Sequence, residues 1–575
     1  MAKPTIPSDL LNVNEYAFDL GTFELTIATS SPEAQVWFNR GLVWTYAFNH
    51  TEACVCFEQA IKYDESCAMA HWGLALTLGP NYNQPWEAQG KDLPEIVRRT
   101  YQASRRAMAL VSENAPVERA LITAIQSRYH SDKPASMEQY RRQNEAYCDA
   151  MEAVYQQFGD DLDVAALYAD ALLILSPWKL WNLVTGKPNP GTRTLDAKAV
   201  LEKALAREEA RRHPGLLHLY IHLIEMSPTP ELGLIPSDHL RDLVPDSGHL
   251  CHMPSHLDFL VGDYRAAMSS NLRATTADEK YMHHRGAMGF YTVYRMHNYH
   301  TLIYAAMFAG RKGVALDAVN RMENTLPLEL LKAMPDYSEV FMSVRSHVMV
   351  RFGMWQEIID QPLPEDQELF CVTTALAHYA KGVAYAATGD IPNALGQQNL
   401  FKQAAKRVPE SRLGFPNRCI DIMGIASAML NGEIEYRRGN YPAAFQHLRR
   451  SVELDDALGY SEPWSWMQPA RHAYAALLLE QNHVEEAAAV YRADLGLDES
   501  VIRARRHPNN VWALQGYHEC LVRLGRDREA NIIKPQLAVA VALADVPIQS
   551  SCFCRTDNDP ASDGERPCPS IKCNM

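Results

Sequence analysis

The sequence predicts an all-α protein, built as an α-solenoid of antiparallel helix pairs. Amphipathic segments of about 12 to 16 residues follow one another along most of the chain, and short turns containing Gly, Asn, Asp or Pro separate them. Segments with the alternating pattern of β-strands are almost absent. The third observation is an internal repeat of about 34 residues, a period that is typical of helical repeat proteins.

The repeat is clearest in the segment "VWFNRGLVWTYAFNHTEACVCFEQAIKYDE". Large, small and aromatic residues stand there at the offsets of the tetratricopeptide (TPR) pattern, namely Trp37, Gly41, Trp44, Ala53, Phe57 and Ala60. The small residues allow paired helices to approach closely, while the aromatic side chains fill the gaps between pairs. This segment therefore predicts a TPR-like helix pair.

Weaker copies of the pattern recur towards the C-terminus. Their aligned positions are Gly382, Tyr385 and Ala394 in the first, Gly432, Ala444 and Leu448 in the second, Ala475, Ala487 and Tyr491 in the third, and Trp512 and Gly516 in the fourth. Several degenerate copies in one chain favour a TPR-like superhelix, whose neighbouring pairs bury a continuous core.

Four regions are predicted along the chain. An N-terminal extension covers residues 1–30, and a TPR-like helical region with a histidine-rich site covers 31–360. The C-terminal TPR repeats cover 361–545, and a flexible cysteine-containing tail covers 546–575. The tail is polar and contains Pro, Asp and Ser, so it is not expected to fold alone. Its "CFC" sequence, Cys552 to Cys554, is either a two-thiol chelate for a soft ion or a segment without function.

Charge and hydropathy exclude several classes of function. The 69 acidic and 55 basic residues give a net charge of -14 without long single-sign blocks, which argues against nucleic acid as a partner. No apolar run approaches the ~18 to 20 residues that a membrane span needs, so no membrane partner is expected. The N-terminus lacks the pattern of a signal peptide, and we expect a cytoplasmic protein.

Three short segments carry paired histidines on predicted helices. The pairs are His218 and His222 in "HPGLLHLYIHLIE", His252 and His256 in "GHLCHMPSHLDFLVGDY", and His297 and His300 in "HNYH". Residues three or four apart on a helix project side by side, so that each pair can share one ion. The sequence predicts these six histidines as metal ligands, and His249 lies one turn before the second pair.

Each of the first two helices contains a proline that limits where the helix can begin. Pro214 fits the first turn of the helix that carries His218. Pro254 is tolerable only if its helix begins near it. The predicted ligands His218 and His256 therefore lie on helices that start at or close to these prolines.

The ligand types favour copper as the cofactor. Six imidazoles suit two copper ions with three histidines each, whereas magnesium and calcium prefer oxygen ligands. Zinc or iron with mixed His and Glu ligands remains open. A zincin-type metalloprotease is disfavoured, because no Glu follows His218 directly. Glu225 is the predicted catalytic residue, although it could also be a ligand or an orienting acceptor.

The main alternative for any one pair is a structural histidine on a helix. His50 is expected to cap a helix at the turn of the first repeat. His283 and His284 are expected in an exposed loop, outside the site. Trp178 is expected to cap a helix pair, and Tyr82 to line a pocket mouth.

The segments "HPGLLHLYIHLIE", "HMPSHLDFLVGDY" and "HNYHTLIYAAM", together with "WFNRGLVWTYAFNHTEA" and "AHWGLALTLGPNYN", resemble a family of TPR-domain proteins found in bacteria and filamentous fungi. The resemblance covers nearly the whole chain, and the tail sequence "SSCFCR" is similar to that of the fungal members. It implies a TPR superhelix, and it brings no established mechanism for the histidine site.

Three functions remain open from the sequence. The first is a metal-dependent enzyme: an oxidase or oxygenase of a small organic molecule if the ions are copper, or a hydrolase with Glu225 as base if they are zinc. The second is a protein–protein interaction scaffold that holds a partner on the concave TPR face. The third is a copper-handling protein that uses the thiols of the tail.

Overall fold

The computed structural model describes residues 10–555, and nearly all regular structure within this range is helical. The first part contains α1 (Pro32–Tyr46), α2 (His50–Tyr63), α3 (Ala68–Leu78), α4 (Leu93–Leu110), α5 (Pro116–Ile125), α6 (Met137–Phe158), α7 (Leu162–Leu173), α8 (Thr194–Leu205) and α9 (Pro214–Ile224). None of the described helices is both long and apolar enough to cross a membrane.

The remaining helices continue the same architecture. The middle of the chain contains α10 (Leu234–Leu240), α11 (Gly248–His252), α12 (Pro254–Val261), α13 (Tyr264–Arg285), α14 (Tyr291–Phe308), α15 (Lys312–Thr325), α16 (Leu328–Ala333), α17 (Pro335–Ser338), α18 (Val344–Arg351) and α19 (Trp355–Asp360). The last part contains α20 (Cys371–Ala387), α21 (Ile391–Ala405), α22 (Cys419–Arg437), α23 (Tyr441–Asp456), α24 (Ala470–Glu480), α25 (Val484–Asp494), α26 (Val511–Arg523) and α27 (Asp527–Leu543).

Short elements connect these helices. Seven 3-10 helices are found in the described range, at Val13–Glu15, Trp86–Ala88, Gly90–Asp92, Glu208–Arg212, Pro230–Gly233, Glu339–Ser343 and Arg503–Arg505. Strands β1 (Leu413–Gly414) and β2 (Asn417–Arg418) form an antiparallel hairpin with Leu413 opposite Arg418. The all-α class predicted from the sequence is confirmed.

The first helix pair shows why the repeat pattern produces this fold. Ser31 and Asn49 cap α1 and α2, because their side chains accept hydrogen bonds from backbone N–H groups of the first turn. The ring of Phe57 lies against Gly41 and Gly73, and a β-carbon on either glycine would lie within 3 Å of it. The small residues of the pattern thus give the aromatic ring its place between α1, α2 and α3.

The same packing holds α20 to α27 together as four successive pairs. A β-carbon on Gly382 would lie 2.7 Å from Leu430, and one on Gly432 would lie 2.7 Å from Leu448. The helix pairs follow one another as in a TPR-type solenoid, which confirms the predicted architecture. The boundary predicted after residue 360 coincides with the end of α19 at Asp360.

The C-terminal pairs also contact the middle of the chain. Trp512 donates from Nε1 to the carbonyl of Met307 at 2.6 Å, and Arg503 donates to the carbonyl of Leu260 at 2.5 Å. The solenoid therefore closes on itself around α12 and α14. This closure brings the loop between α23 and α24 next to the histidine-bearing helices.

Residues 546–555 differ from the flexible tail that the sequence predicts, because they pack against the solenoid. Ser551 is fully buried and donates to the carbonyl of His472 at 2.7 Å, while Arg555 pairs with Glu519 at 2.7 Å. Cys552 and Cys554 form a disulfide, so they do not present the two thiolates of the expected chelate. Residues 556–575 lie outside the described range.

Candidate metal centre

The helices that carry the histidine pairs begin where the sequence predicts. Helix α9 starts at Pro214 after an N-cap at His213, and every residue from Pro214 to Ile224 is buried. Pro254 starts α12, immediately after α11 ends. The predicted pair His252 and His256 is therefore divided between two helices, but Met253 between them keeps helical dihedral angles and the two side chains remain neighbours.

The first triad consists of His218, His222 and His249. Their ligand atoms all lie within 4.8 Å of one another, and the Nε2 atoms of His218 and His249 are 3.1 Å apart. The rings of His218 and His222 are 4.8 Å apart between centroids, as i,i+4 neighbours on α9. The prediction placed the pair on α9 but assigned no ligand role to His249.

The second triad consists of His252, His256 and His297. Nε2 of His252 lies 2.8 Å from Nε2 of His256 and 3.0 Å from Nε2 of His297. The ring centroids of His249 and His252 are 6.0 Å apart, so the two triads are direct neighbours. Five of the six predicted histidines therefore meet in two adjacent groups.

The sixth predicted ligand, His300, lies outside both triads. Its ring contacts Phe341 at 5.5 Å, and it lines a cavity beside the second triad. His249 takes the sixth position, because its Nε2 lies 3.1 Å from that of His218 on α9. Both candidates lie three residues from a triad member, so the spacing alone could not choose between them.

Acceptors fix the other ring nitrogen of several histidines. His218 donates from Nδ1 to the carbonyl of Tyr46 at 2.6 Å, and His252 donates from Nδ1 to Oδ1 of Asn271 at 2.8 Å. The Nε2 atoms of these two rings therefore carry lone pairs. Fixing Nδ1 in this way is how proteins orient histidine ligands towards a metal.

Glu225 joins the two triads. One of its oxygens accepts from Nδ1 of His222 at 3.0 Å, and the other accepts from Nδ1 of His256. The side chain is fully buried. Burial raises the pKa of Glu225, while the neighbouring His256 opposes that rise. Glu225 thus occupies the position of an orienting acceptor, one of the three roles that the sequence left open.

A second buried carboxyl group, Glu462, was not found from the sequence. It lies on the loop between α23 and α24, and its Oε2 is 3.9 Å from Nδ1 of His256. Burial and the nearby Glu225 raise the pKa of Glu462 well above its ordinary value. No local motif marks this glutamate, since the closure of the solenoid brings it to the site.

All six imidazoles of the triads are uncharged at neutral pH. Burial lowers the pKa of His222 to about 3, and it lowers those of His252 and His256 to about 4. The pKa values of His218, His249 and His297 also lie well below the ordinary value, because of burial and neighbouring histidines. Neutral imidazole is the form that binds metal ions.

The donor set fits transition metals. Each triad offers three nitrogen ligands and no oxygen, which suits copper and excludes magnesium or calcium as the preferred ion. Nε2 of His222 is buried without a hydrogen-bond partner among the described residues, which is consistent with a metal-ligand atom. A third group, His222, Glu225 and His256, offers a mixed set of the kind that zinc or iron takes.

Aromatic side chains cover the first triad. The ring of Phe48 lies 4.5 Å from that of His218 and stacks with those of His222 and His249. Tyr82 lies 4.9 Å from His222 and is fully buried, so it is part of the site wall and not of a pocket mouth. Trp178 is expected from the sequence to cap a helix pair. Its ring centroid lies 6.1 Å from that of His222, so Trp178 is also part of the site wall.

A cavity of about 330 Å³ opens beside the second triad. Its walls include His249 and His256 of the α11–α12 segment, His297 and His300 of α14, and His347 of α18. A larger cavity of about 590 Å³ adjoins it, since Phe290 and Tyr294 are among the residues that line both. A small molecule in the cavity can therefore reach two histidines of the second triad and His249 of the first.

The remaining histidines lie apart from the triads. His50 begins α2, but the cap of this helix is Asn49, and His50 instead contacts the side-chain amide of Asn81. His283 and His284 are exposed, as predicted, although they belong to the last turn of α13 and not to a loop.

No family model and no curated protein matches this chain. Among solved structures, it is similar to the crystal structure of yeast Tom70, with 12% identity, a TM-score of 0.26, and coverage of 88% of this chain and 93% of that one. It is also similar to a structure of Naa15/Naa10 bound to HypK-THB, with 13% identity, a TM-score of 0.22, and coverage of 88% and 70%. TM-scores this low do not establish a shared fold. The TPR-type architecture is therefore inferred from the helix pairs of this structure.

Proposed function

We propose that this protein is a metal-dependent oxidoreductase, which binds one copper ion at each triad and acts on a small organic molecule in the adjoining cavity. The observation that carries the proposal is the convergence of six neutral imidazoles, five of them buried and His297 half-buried, into two adjacent groups of three. Such a set is costly to bury without a ligand, because unpaired ring nitrogens lose their hydrogen bonds to water. Two ions satisfy all six nitrogens at once.

Copper is favoured over other ions because both triads consist of nitrogen ligands alone. When bound, a copper pair supplies activation of dioxygen for oxidation or hydroxylation. Phe48 covers the rings of His218 and His222, and Tyr82 lies against His222. His297 and His256 line the cavity, so an ion held by the second triad would lie next to the organic molecule.

Glu225 then acts as a positioning residue, whereas the sequence predicts it as the catalytic residue. Both of its oxygens accept from ring nitrogens, which holds His222 and His256 in the tautomer whose Nε2 can bind metal.

A zinc site formed by His222, Glu225 and His256 is the second candidate, and the mixed ligand set favours it. That candidate makes the protein a hydrolase.

Protein binding is the alternative function, and the TPR-type helix pairs favour it. A scaffold needs no ion, and metal would then affect neither its stability nor its partner binding. The histidines of the two triads have no role in that function. Metal content therefore distinguishes the enzyme from the scaffold.

The test is elemental analysis of protein purified without a histidine tag. We expect two equivalents of copper in the wild type after reconstitution, and one in each of His218→Ala/His222→Ala and His252→Ala/His256→Ala. His283→Ala/His284→Ala is the matched control, because this adjacent pair is exposed and lies outside both triads. A wild-type protein that takes up no ion, with a Tm unaffected by Cu(II) or Zn(II), would contradict the proposal.

A further inference from the structure

The walls of the 330 Å³ cavity are rich in aromatic rings. The rings that line it belong to Trp178, Phe290, Tyr294, Tyr337, Phe341 and Phe415. Phe415 is 53% exposed although it is a large apolar side chain, and its ring meets that of Trp178 at 6.0 Å. Flat apolar walls of this kind favour a flat aromatic ligand, which stacks edge or face against them.

The same walls hold buried polar atoms that lack partners among the described residues. They are Nε1 of Trp178, Nδ1 of His347 and Oε1 of Glu462. The side chain of Glu462 is 5% exposed, and the whole of His347 is 3% exposed. Buried polar groups in native proteins are normally paired, so these atoms indicate a polar ligand beside the rings.

The backbone at Trp178 supports a binding role for this wall. Trp178 has φ of 61°, in the left-handed region that a bulky side chain rarely adopts. Its backbone N–H donates to the hydroxyl of Tyr82 at 3.1 Å, which holds the strained conformation. Strain of this kind is concentrated at functional sites.

We infer that the cavity binds a planar aromatic molecule that carries a hydroxyl group. A hydroxyl both donates and accepts, so it can pair with an acceptor such as Glu462 or with the N–H of Trp178. The inference names the ligand class for the proposed function, and it rests on that function only in taking the ligand as the substrate of the second triad.

The experiment measures binding of 2-naphthol to metal-free wild-type protein by titration calorimetry. Two matched probes are 2-methoxynaphthalene, which cannot donate a hydrogen bond, and decahydro-2-naphthol, which is not aromatic. We expect 2-naphthol to bind at least tenfold more tightly than either. Equal affinity for the saturated alcohol overturns the aromatic part, and equal affinity for the ether overturns the hydroxyl part.

Variants locate the binding in the cavity. Val340→Trp fills the cavity from its wall and should abolish binding, whereas Val522→Trp, at an exposed position of α26, should leave it unchanged. Should Val340→Trp fail to fold, Phe415→Ala tests the same wall, because Phe415 is exposed and its loss leaves the core intact. We expect at least tenfold weaker binding there, and unchanged binding overturns the inference.

Metal analysis of the same preparation separates this inference from the proposed function. Naphthol binding with the expected selectivity, in protein that takes up no metal, supports the ligand class and contradicts the oxidoreductase. In copper-loaded protein, 2-naphthol should also change the visible spectrum of the bound ion. An unchanged spectrum at saturating naphthol overturns its placement beside the second triad.

Discussion

Nε2 of His252 faces Nε2 of His256 at 2.8 Å, although the Nδ1 atom of each ring already donates to an acceptor. Two neutral imidazoles in these tautomers direct lone pairs at each other, and no hydrogen bond can form between them. Nε2 of His297 lies 3.0 Å from the same atom of His252. A cation among the three nitrogens removes this repulsion, which is why the geometry favours a metal.

Replacing His249 should remove one ion, while replacing His300 should remove none. His249 supplies a nitrogen to the first triad, and His300 lies beside Phe341 outside both triads. The measurement is the copper content of His249→Ala and His300→Ala after reconstitution and gel filtration. Equal loss of copper in the two variants would show that the assignment of the sixth ligand is wrong.

Glu225→Gln should weaken metal binding by about 10- to 100-fold, the usual effect of removing a partner that orients a histidine ligand. The amide oxygen can accept from only one of His222 and His256, and the amide nitrogen opposes the other. Competition with a chelator of known affinity measures the change. Glu208→Gln is the control, since Glu208 is 87% exposed. Unchanged affinity in Glu225→Gln would exclude a positioning role.

His347 should make stability depend on pH. Burial lowers its pKa to about 4, below the value of about 6.5 in the unfolded chain. The unfolded state therefore binds more protons between these values, and the contribution to stability is lost as the pH falls from 6.5 towards 4. The loss is about 1.4 kcal/mol per pH unit.

The variant His347→Phe isolates this effect, because phenylalanine keeps a ring against Trp466, whose centroid lies 4.8 Å from that of His347. Denaturant unfolding of both proteins at pH 6.5 and 5.5 gives two differences in free energy. We expect the wild type to lose about 1 kcal/mol more than the variant over this interval, because half of the unfolded chains already carry the proton at pH 6.5. Parallel losses would mean that His347 does not remain neutral in the folded state.

Asp494→Asn should destabilise the C-terminal repeats by about 1.5 to 3 kcal/mol, the usual contribution of hydrogen bonds to a charged group. The carboxylate accepts from Nε2 of His472 at 2.9 Å and from Nδ1 of His507 at 2.8 Å. Although burial raises the pKa of Asp494, these two histidines outweigh burial and hold it well below the ordinary value.

Thermal unfolding of Asp494→Asn against Glu485→Gln measures this contribution. Glu485 pairs with Arg526 at the surface and is 67% exposed, so its loss should cost less than about 1 kcal/mol. A similar Tm for the two variants would show that the buried cluster adds nothing to stability.

The histidine pairs could be found from the sequence because helix geometry is local. Spacings of three and four residues fix which side chains share a face, and Pro214 and Pro254 fix where the helices begin. The choice of His249 over His300 is not local, since it depends on the packing of distant segments, which places His249 beside His218 and His300 beside Phe341. The same holds for Glu462, which enters the site from a loop about 200 residues away in sequence.

The sequence by itself determined the all-α class and the TPR-type helix pairs, and it identified five of the six histidines that meet in the two triads. Hydrophobic period, small residues and paired histidines are local signals, each contained within one or two helices. Only the tertiary structure decided which histidines form each triad, that Glu225 joins them, and that residues 546–555 pack on the solenoid. These features depend on contacts between segments that are distant in sequence, and such contacts form only when the solenoid closes. The closure buries polar side chains, which are then stable only when they are paired with one another.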